Sequence, residues 1–285
     1  MMLIGYSTSE IPQIATIGGP FGGRFLNGTQ SGLVDGIPAR AARMIWFTTA
    51  GNTSTTLTIP IAFSQPRKNR IAVVLGLSLP VGTLMRVRLK DALSNVVAFI
   101  DQRAVRFANG STGAWFVFPA GMPDSKLVDL IIFNDVNGVA AIAANQVFDI
   151  GEFAVMLAVD IAIQEDWADE SIDPTETTLT RDSQPASVGR LPYRKVDANL
   201  SASSYGQVYG AALDGGMDWT KLRQAFAGDT PVVAIPRWRD ESGALVQDLV
   251  NATGLFGTAR MGKVQHLGDD IYSAGVTFTE SPAAN

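Results

Sequence analysis

Short apolar, β-branched runs follow one another from residue 41 onward, each closed by a cluster of Gly, Pro, Asn or Asp. Such a rhythm fits strands joined by turns, and it leaves no room for the longer helical segments of alternating β–α units. Residues 43–48 are apolar and aromatic. Residues 55–63 alternate polar and apolar, as a half-buried strand does. Residues 70–79 are almost wholly apolar, the pattern of a strand buried on both faces. Residues 84–89 alternate again and put Arg86 and Arg88 on one face. Runs at 96–100, 114–118 and 127–133 are separated by turns such as Asn109-Gly110-Ser111. A long run at 147–163 carries Gly151 as a candidate bulge.

The fold class expected is mainly β: an N-terminal jelly-roll-like β-sandwich over residues 41–163, then a small β-sandwich or barrel over 190–285 with one short helix near 218–227. That helix has Asp218 placed as N-cap, Trp219, Leu222 and Phe226 on one face, and Gly228 to close it. Further strands are expected at 194–203, 231–236, 244–250, 254–264 and 272–280. Residues 1–40, rich in Gly, Ser and Thr, are expected as an irregular arm. Residues 164–189, acidic and Pro-punctuated, are expected as a linker or extended excursion.

Composition narrows the chemistry. The 285 residues include no cysteine and a single histidine, His266. Thiol nucleophiles, disulfide scaffolds and Cys-based metal sites are excluded, and a Ser–His–Asp triad or His-rich zinc site has almost no material. No cofactor is expected, and the chain reads as a non-enzyme. Asp240-Glu241 and Asp269-Asp270 are adjacent pairs in turn contexts, where acids are common, rather than a glycosidase pair. The acids Glu165, Asp166, Asp169, Glu170 and Asp173 lack the spacing and glycine of an EF-hand loop. Gly18–Gly23 lacks the Lys-Ser/Thr and helix of a phosphate loop. A net charge of −5 without any basic run argues against nucleic acid as the main ligand. No apolar run is long enough to span a bilayer as a helix, and residues 1–12 do not read as a signal peptide. Only 17% of residues are charged, so much of the surface is neutral or apolar and suited to packing against partners. Trp167 and Trp238 are flanked by charges, and Trp238 lies between Arg237 and Arg239. These four are the candidate glycan or interface contacts.

The order Met44-Ile45-Trp46-Phe47, Leu57-Thr58-Ile59-Pro60, residues 70–79, Leu84-Met85-Arg86-Val87-Arg88-Leu89 and Phe148-Asp149-Ile150-Gly151-Glu152-Phe153 resembles a group of tailed-phage virion proteins. In these a galactose-binding-like jelly roll precedes a domain like that of distal tail proteins. Ser78 stands where that pattern often has Asn, and Glu152 where it often has Arg. The segments 181–194, 219–226, 231–236, Leu255-Phe256-Gly257 and Phe278-Thr279-Glu280 match the second domain in order. The resemblance covers roughly residues 40–280. It implies a structural protein of a phage tail tip or baseplate. Such a protein forms a closed homo-oligomeric ring, hexameric or else trimeric, that joins the tail tube to hub and fibre proteins. It also implies location at the virion tail tip after assembly in the bacterial cytoplasm. The alternative is a carbohydrate-binding or host-adhesion module that uses the jelly roll against a cell-surface glycan.

Overall fold

A computed structural model gives the fold and describes residues 1–7, 16–46, 48–49, 52–53, 55–174, 176–179, 185–188, 192–227 and 230–282. In chain order the first strands are β1 (Met2–Tyr6), β2 (Thr16–Ile17), β3 (Gly23–Phe25), β4 (Ala42–Trp46), β5 (Thr48–Thr49), β6 (Asn52–Thr53), β7 (Thr56–Arg67) and β8 (Ile71–Leu75). Then come β9 (Thr83–Lys90), β10 (Val96–Arg103), β11 (Val105–Arg106), β12 (Thr112–Val117), β13 (Ser125–Val136), β14 (Val147–Ile150) and β15 (Glu152–Ile161). The rest comprises β16 (Ala168–Ile172), β17 (Glu176–Leu179), β18 (Pro185–Val188), β19 (Tyr193–Ala202), helices α1 (Tyr205–Tyr209) and α2 (Trp219–Ala225), β20 (Val232–Ile235), α3 (Gln247–Thr253), β21 (Leu255–Met261), β22 (Gln265–Gly268) and β23 (Ile271–Glu280). The protein is mainly β, with antiparallel sheets and few short helices.

One sheet of eleven strands runs through both halves of the chain in the order β11-β12-β8-β15-β1-β20-β21-β23-β19-β16, with β22 added on β23. A second sheet, β10-β9-β13-β7-β2, packs on the β12-β8-β15 end and closes a sandwich. Its core takes every second residue of facing strands: Leu57, Ile59, Ile61 and Phe63 from β7, Met85, Val87 and Leu89 from β9, and Phe116 and Phe153 from the large sheet. The far end of the large sheet wraps a second core with Trp219, Leu222, Phe226 and Phe278. Between them lies a third core on the opposite face. There Leu3, Ile71, Val73, Trp115, Met156, Ile235 and Phe256 pack beneath Val250 and Trp238. Central strands are therefore covered on both sides. This is why β8 and β20 are apolar at every position (burial throughout Ile71–Leu75 and Val232–Ile235).

Several expectations need correction. Residues 2–6 are not part of an irregular arm. Met-Leu-Ile-Gly-Tyr forms β1, fully buried, hydrogen-bonded to β15 on one side and β20 on the other. Met2, Ile4 and Tyr6 enter the second core, while Leu3 enters the third. Within residues 164–189, β16 pairs with β19 and β17 with β18, so the acidic stretch contributes strands and is not simply a linker. Residues 244–250 were expected as a strand. Instead Gln247–Thr253 is helix α3, which buries Val250 over Trp115 and its neighbours. Among the described residues the second half thus has three short helices, not one. Asp218 does cap α2, accepting from the Lys221 N–H at 2.9 Å. Among the described residues no helix is long and apolar enough to cross a membrane.

Candidate functional site

Two of the four residues nominated from the sequence, Trp238 and Arg239, lie where the two halves meet. β20 ends at Ile235, and the next residues carry Arg237, Trp238 and Arg239 back along the large sheet. Trp238 is 3% exposed and belongs to the third core, so its ring is no surface platform. Its indole N–H has no hydrogen-bond partner among the described residues. Arg239 lies over that ring, its Cζ 3.7 Å from the centroid. Arg237 is exposed and reaches toward the half-buried Trp167, 6.0 Å from its ring centre, while Trp167 packs against the second core. Trp238 and Arg239 therefore lie together at one joint, whereas Arg237 faces Trp167 beside the second core.

Residues the sequence reading passed over complete this joint. Arg70 precedes β8 and its side chain is only 6% exposed. It donates to Asp160 at 3.3 Å and to Asp214 at 3.3 Å, and it approaches the Ala158 carbonyl at 3.5 Å. Arg239 adds a second cation 3.9 Å from Asp160. One Asp160 oxygen, Oδ1, and the Arg70 Nε lack hydrogen-bond partners among the described residues. Tyr6 faces a cleft of about 200 Å3 with Lys68, Arg70, Met122, Leu157 and Asp214. Burial first, and then the Asp214 charge, push the Tyr6 hydroxyl up to about 12 against the opposing pull of Arg70. It is therefore a protonated donor at neutral pH and not a base. Two guanidiniums and two carboxylates face one another here, an ionic clamp between β8, β15, the 3-10 turn at Asp214–Gly216 and the segment after β20. A signal for it existed: Asp160 is a charged residue near the end of the apolar run of β15, where a half-buried charge needs a partner.

Other nominated groups fall elsewhere. Asp240 accepts from Ser242 and Ala244 within its own turn. Asp269 and Asp270 form the β22–β23 turn with positive φ of 48° and 58°. Asp169 holds the guanidinium of Arg194, which is buried and also donates to the Gly254 carbonyl. Among the described residues no three His, Asp or Glu side chains gather as a metal site. The outer face of the five-stranded sheet carries a ladder of ion pairs. Arg86 meets Asp101, and Asp129 sits between Arg88 and Lys90. No protein-family model matches this chain, and no curated protein matches it.

Proposed function

We propose that the protein is a structural subunit that acts through its surfaces, as a ring-forming adaptor of a phage tail tip or baseplate that joins the tube to hub and fibres. The observation that carries the reading is the eleven-stranded sheet with β1 inserted at its centre, which ties both halves into one body with unlike ends. At one end, edge strand β16 exposes Asp169 and Glu170, near exposed Glu165 and Asp166. At the other, β10 lies beside β12 and brings exposed Leu93, Val96 and Phe99 together with Arg86, Arg88 and Lys90. Unlike ends suit head-to-tail contacts, and head-to-tail contacts close into rings when the rotation allows. The sequence resemblance over residues 40–280 supports the same assignment.

The test is mass and shape in solution, by light scattering and negative-stain imaging of the full chain. A closed ring is expected, and Phe99→Asp should release subunits. A monomer at every concentration that also fails to join other tail proteins would count against the assignment.

A further inference from the structure

The second half of the chain carries a row of four aromatic rings on one face. Helix α1 is anchored by buried Val208 and capped by Ser204, which accepts from the Gln207 N–H. Its i, i+4 spacing sets Tyr205 against Tyr209, with ring centres 5.1 Å apart. Tyr209 meets Tyr272 edge-on at 6.3 Å, and Tyr272 meets His266 across the β22–β23 hairpin at 4.9 Å. Tyr272 is the buried inner ring, whereas Tyr205 and Tyr209 are 59% and 49% exposed. Strand alternation puts Leu267 and Ile271 on the other face of the hairpin, so the tyrosine face is separate from that apolar pair. Asp270 accepts from the Tyr272 hydroxyl at 3.4 Å.

Tyr209 also forms one wall of a cleft of about 280 Å3. Trp219 and Val264 are its apolar lining, and Thr220, Arg223 and Lys263 its polar rim. Arg223 donates to the Gly262 carbonyl. Neither Arg223 nor Lys263 has an acidic partner among the described residues, although the chain is acidic overall. An exposed ring beside two uncompensated cations matches a flat apolar face with negative charge on its rim.

We infer that this cleft binds a uronic-acid unit of an acidic polysaccharide. A sugar ring offers C–H groups to the face of Tyr209. In a uronic acid the carboxylate stands on the edge of that same ring, where Arg223 and Lys263 can pair with it. A neutral sugar would leave both cations unmatched, and a polar cleft rim suits a hydroxylated ligand better than a hydrophobic peptide. The site lies outside the first-half sandwich, and the inference holds whether or not the chain forms a ring.

The experiment is calorimetric titration of the full-length chain with a galacturonic acid hexamer, and with a neutral glucose hexamer as comparison. Binding of the acidic hexamer that weakens with salt is expected. Tyr209→Ala and the double change Arg223→Ala/Lys263→Ala should each weaken it by roughly tenfold or more, one lost contact of ordinary size. All these changes lie at the surface, and an unchanged melting temperature would show that the variants are folded. Failure of the acidic hexamer to bind the unaltered chain, or equal binding by folded variants, overturns the assignment. So does a Tyr209→Ala change that breaks up an oligomer while no sugar binds, which would make this face a contact between copies.

Discussion

Replacing Glu152 by Gln should make the protein more stable at neutral pH and remove part of its pH dependence. Glu152 opens β15 and is completely buried. One oxygen accepts from the Gly36 N–H at 2.9 Å, and the other has no partner among the described residues. Burial, with the nearby Asp35 charge adding to it, pushes this carboxyl from 4.5 up to about 9, and the Gly36 bond lowers it only in part. The folded chain therefore holds a proton there at neutral pH that the unfolded chain has lost. A pKa raised on folding contributes stability that is fully present below about 4.5 and fades as pH climbs through about 9. The slope is about 1.4 kcal/mol per pH unit, so the loss reaches about 3 kcal/mol near neutrality. A glutamine has the same shape, keeps an oxygen for Gly36 and carries no charge at any pH. Its amide occupies the place of the unpaired oxygen, at a cost of about 1 kcal/mol or more for an unpaired donor. The net gain expected near pH 7 is therefore about 2 kcal/mol, growing toward pH 9. Urea unfolding of both proteins between about pH 5 and pH 9 measures it. Parallel curves of stability against pH for the two proteins would refute the reasoning, because the difference in slope is the signature of the titrating acid.

Five further substitutions probe the joint and the shared sheet. Ile4→Ala in β1 removes a fully buried side chain from the second core and should cost about 2–5 kcal/mol by chemical denaturation, where an irregular arm would cost almost nothing. Asp160→Asn leaves the buried Arg70 without its best-sheltered partner and should cost about 3–5 kcal/mol, while Asp214→Asn, whose carboxylate is 57% exposed, should cost less than about 1 kcal/mol. Trp238→Ala should cost about 3–5 kcal/mol, and Trp238→Phe clearly less, since the indole N–H forfeits no hydrogen bond among the described residues; equal losses would indicate a bond at that nitrogen.

Much of the architecture was written in local pattern. The unbroken apolar run of β8 implied burial on two faces, and the third core supplies the second face. The alternation of β9 put Arg86 and Arg88 outward together, where they now pair with Asp101 and Asp129. Asp218 and the spacing of Trp219, Leu222 and Phe226 gave α2. Misreadings came where local pattern was too short to decide. Five apolar residues at the start of the chain show no period, so β1 could not be told from a tail. Residues 244–250 are a short apolar stretch interrupted by Gln247-Asp248, too short for a period to decide, and the helix is fixed by Val250 meeting Trp115, a contact far away in sequence. The ionic joint was illegible for the same reason: Arg70 finds Asp160 and Asp214 across 90 and 144 residues. Of the nominated residues, Trp238 and Arg239 reached the joint, but the flanking charges that suggested exposure for Trp238 in fact cover a buried ring.

The way the cores share strands bears on how such a body could serve in an assembly. On one face, β15 gives Phe153 and Val155 to the first core and Val159 and Ile161 to the second, while Ala154 and Met156 enter the third from the other face. β1 is held by β15 and β20 along nearly its whole length. Opening the sheet at this seam would expose apolar surface of the second and third cores at once, and it would pull Asp214 and Arg239 from Arg70 and Asp160. A hinge between the halves is therefore disfavoured, and a force carried from one end to the other passes along backbone hydrogen bonds instead of through a flexible linker. The outer edges behave differently. β16 shows Asp169 and Glu170, charges that discourage open-ended strand addition. β10 shows Phe99 beneath Arg86, 4.4 Å from its ring, an apolar surface rimmed by charge that favours one defined neighbour. An inflexible centre with one guarded and one receptive edge limits association to contacts of fixed angle, and the rotation at each contact then decides between a closed ring and an open filament.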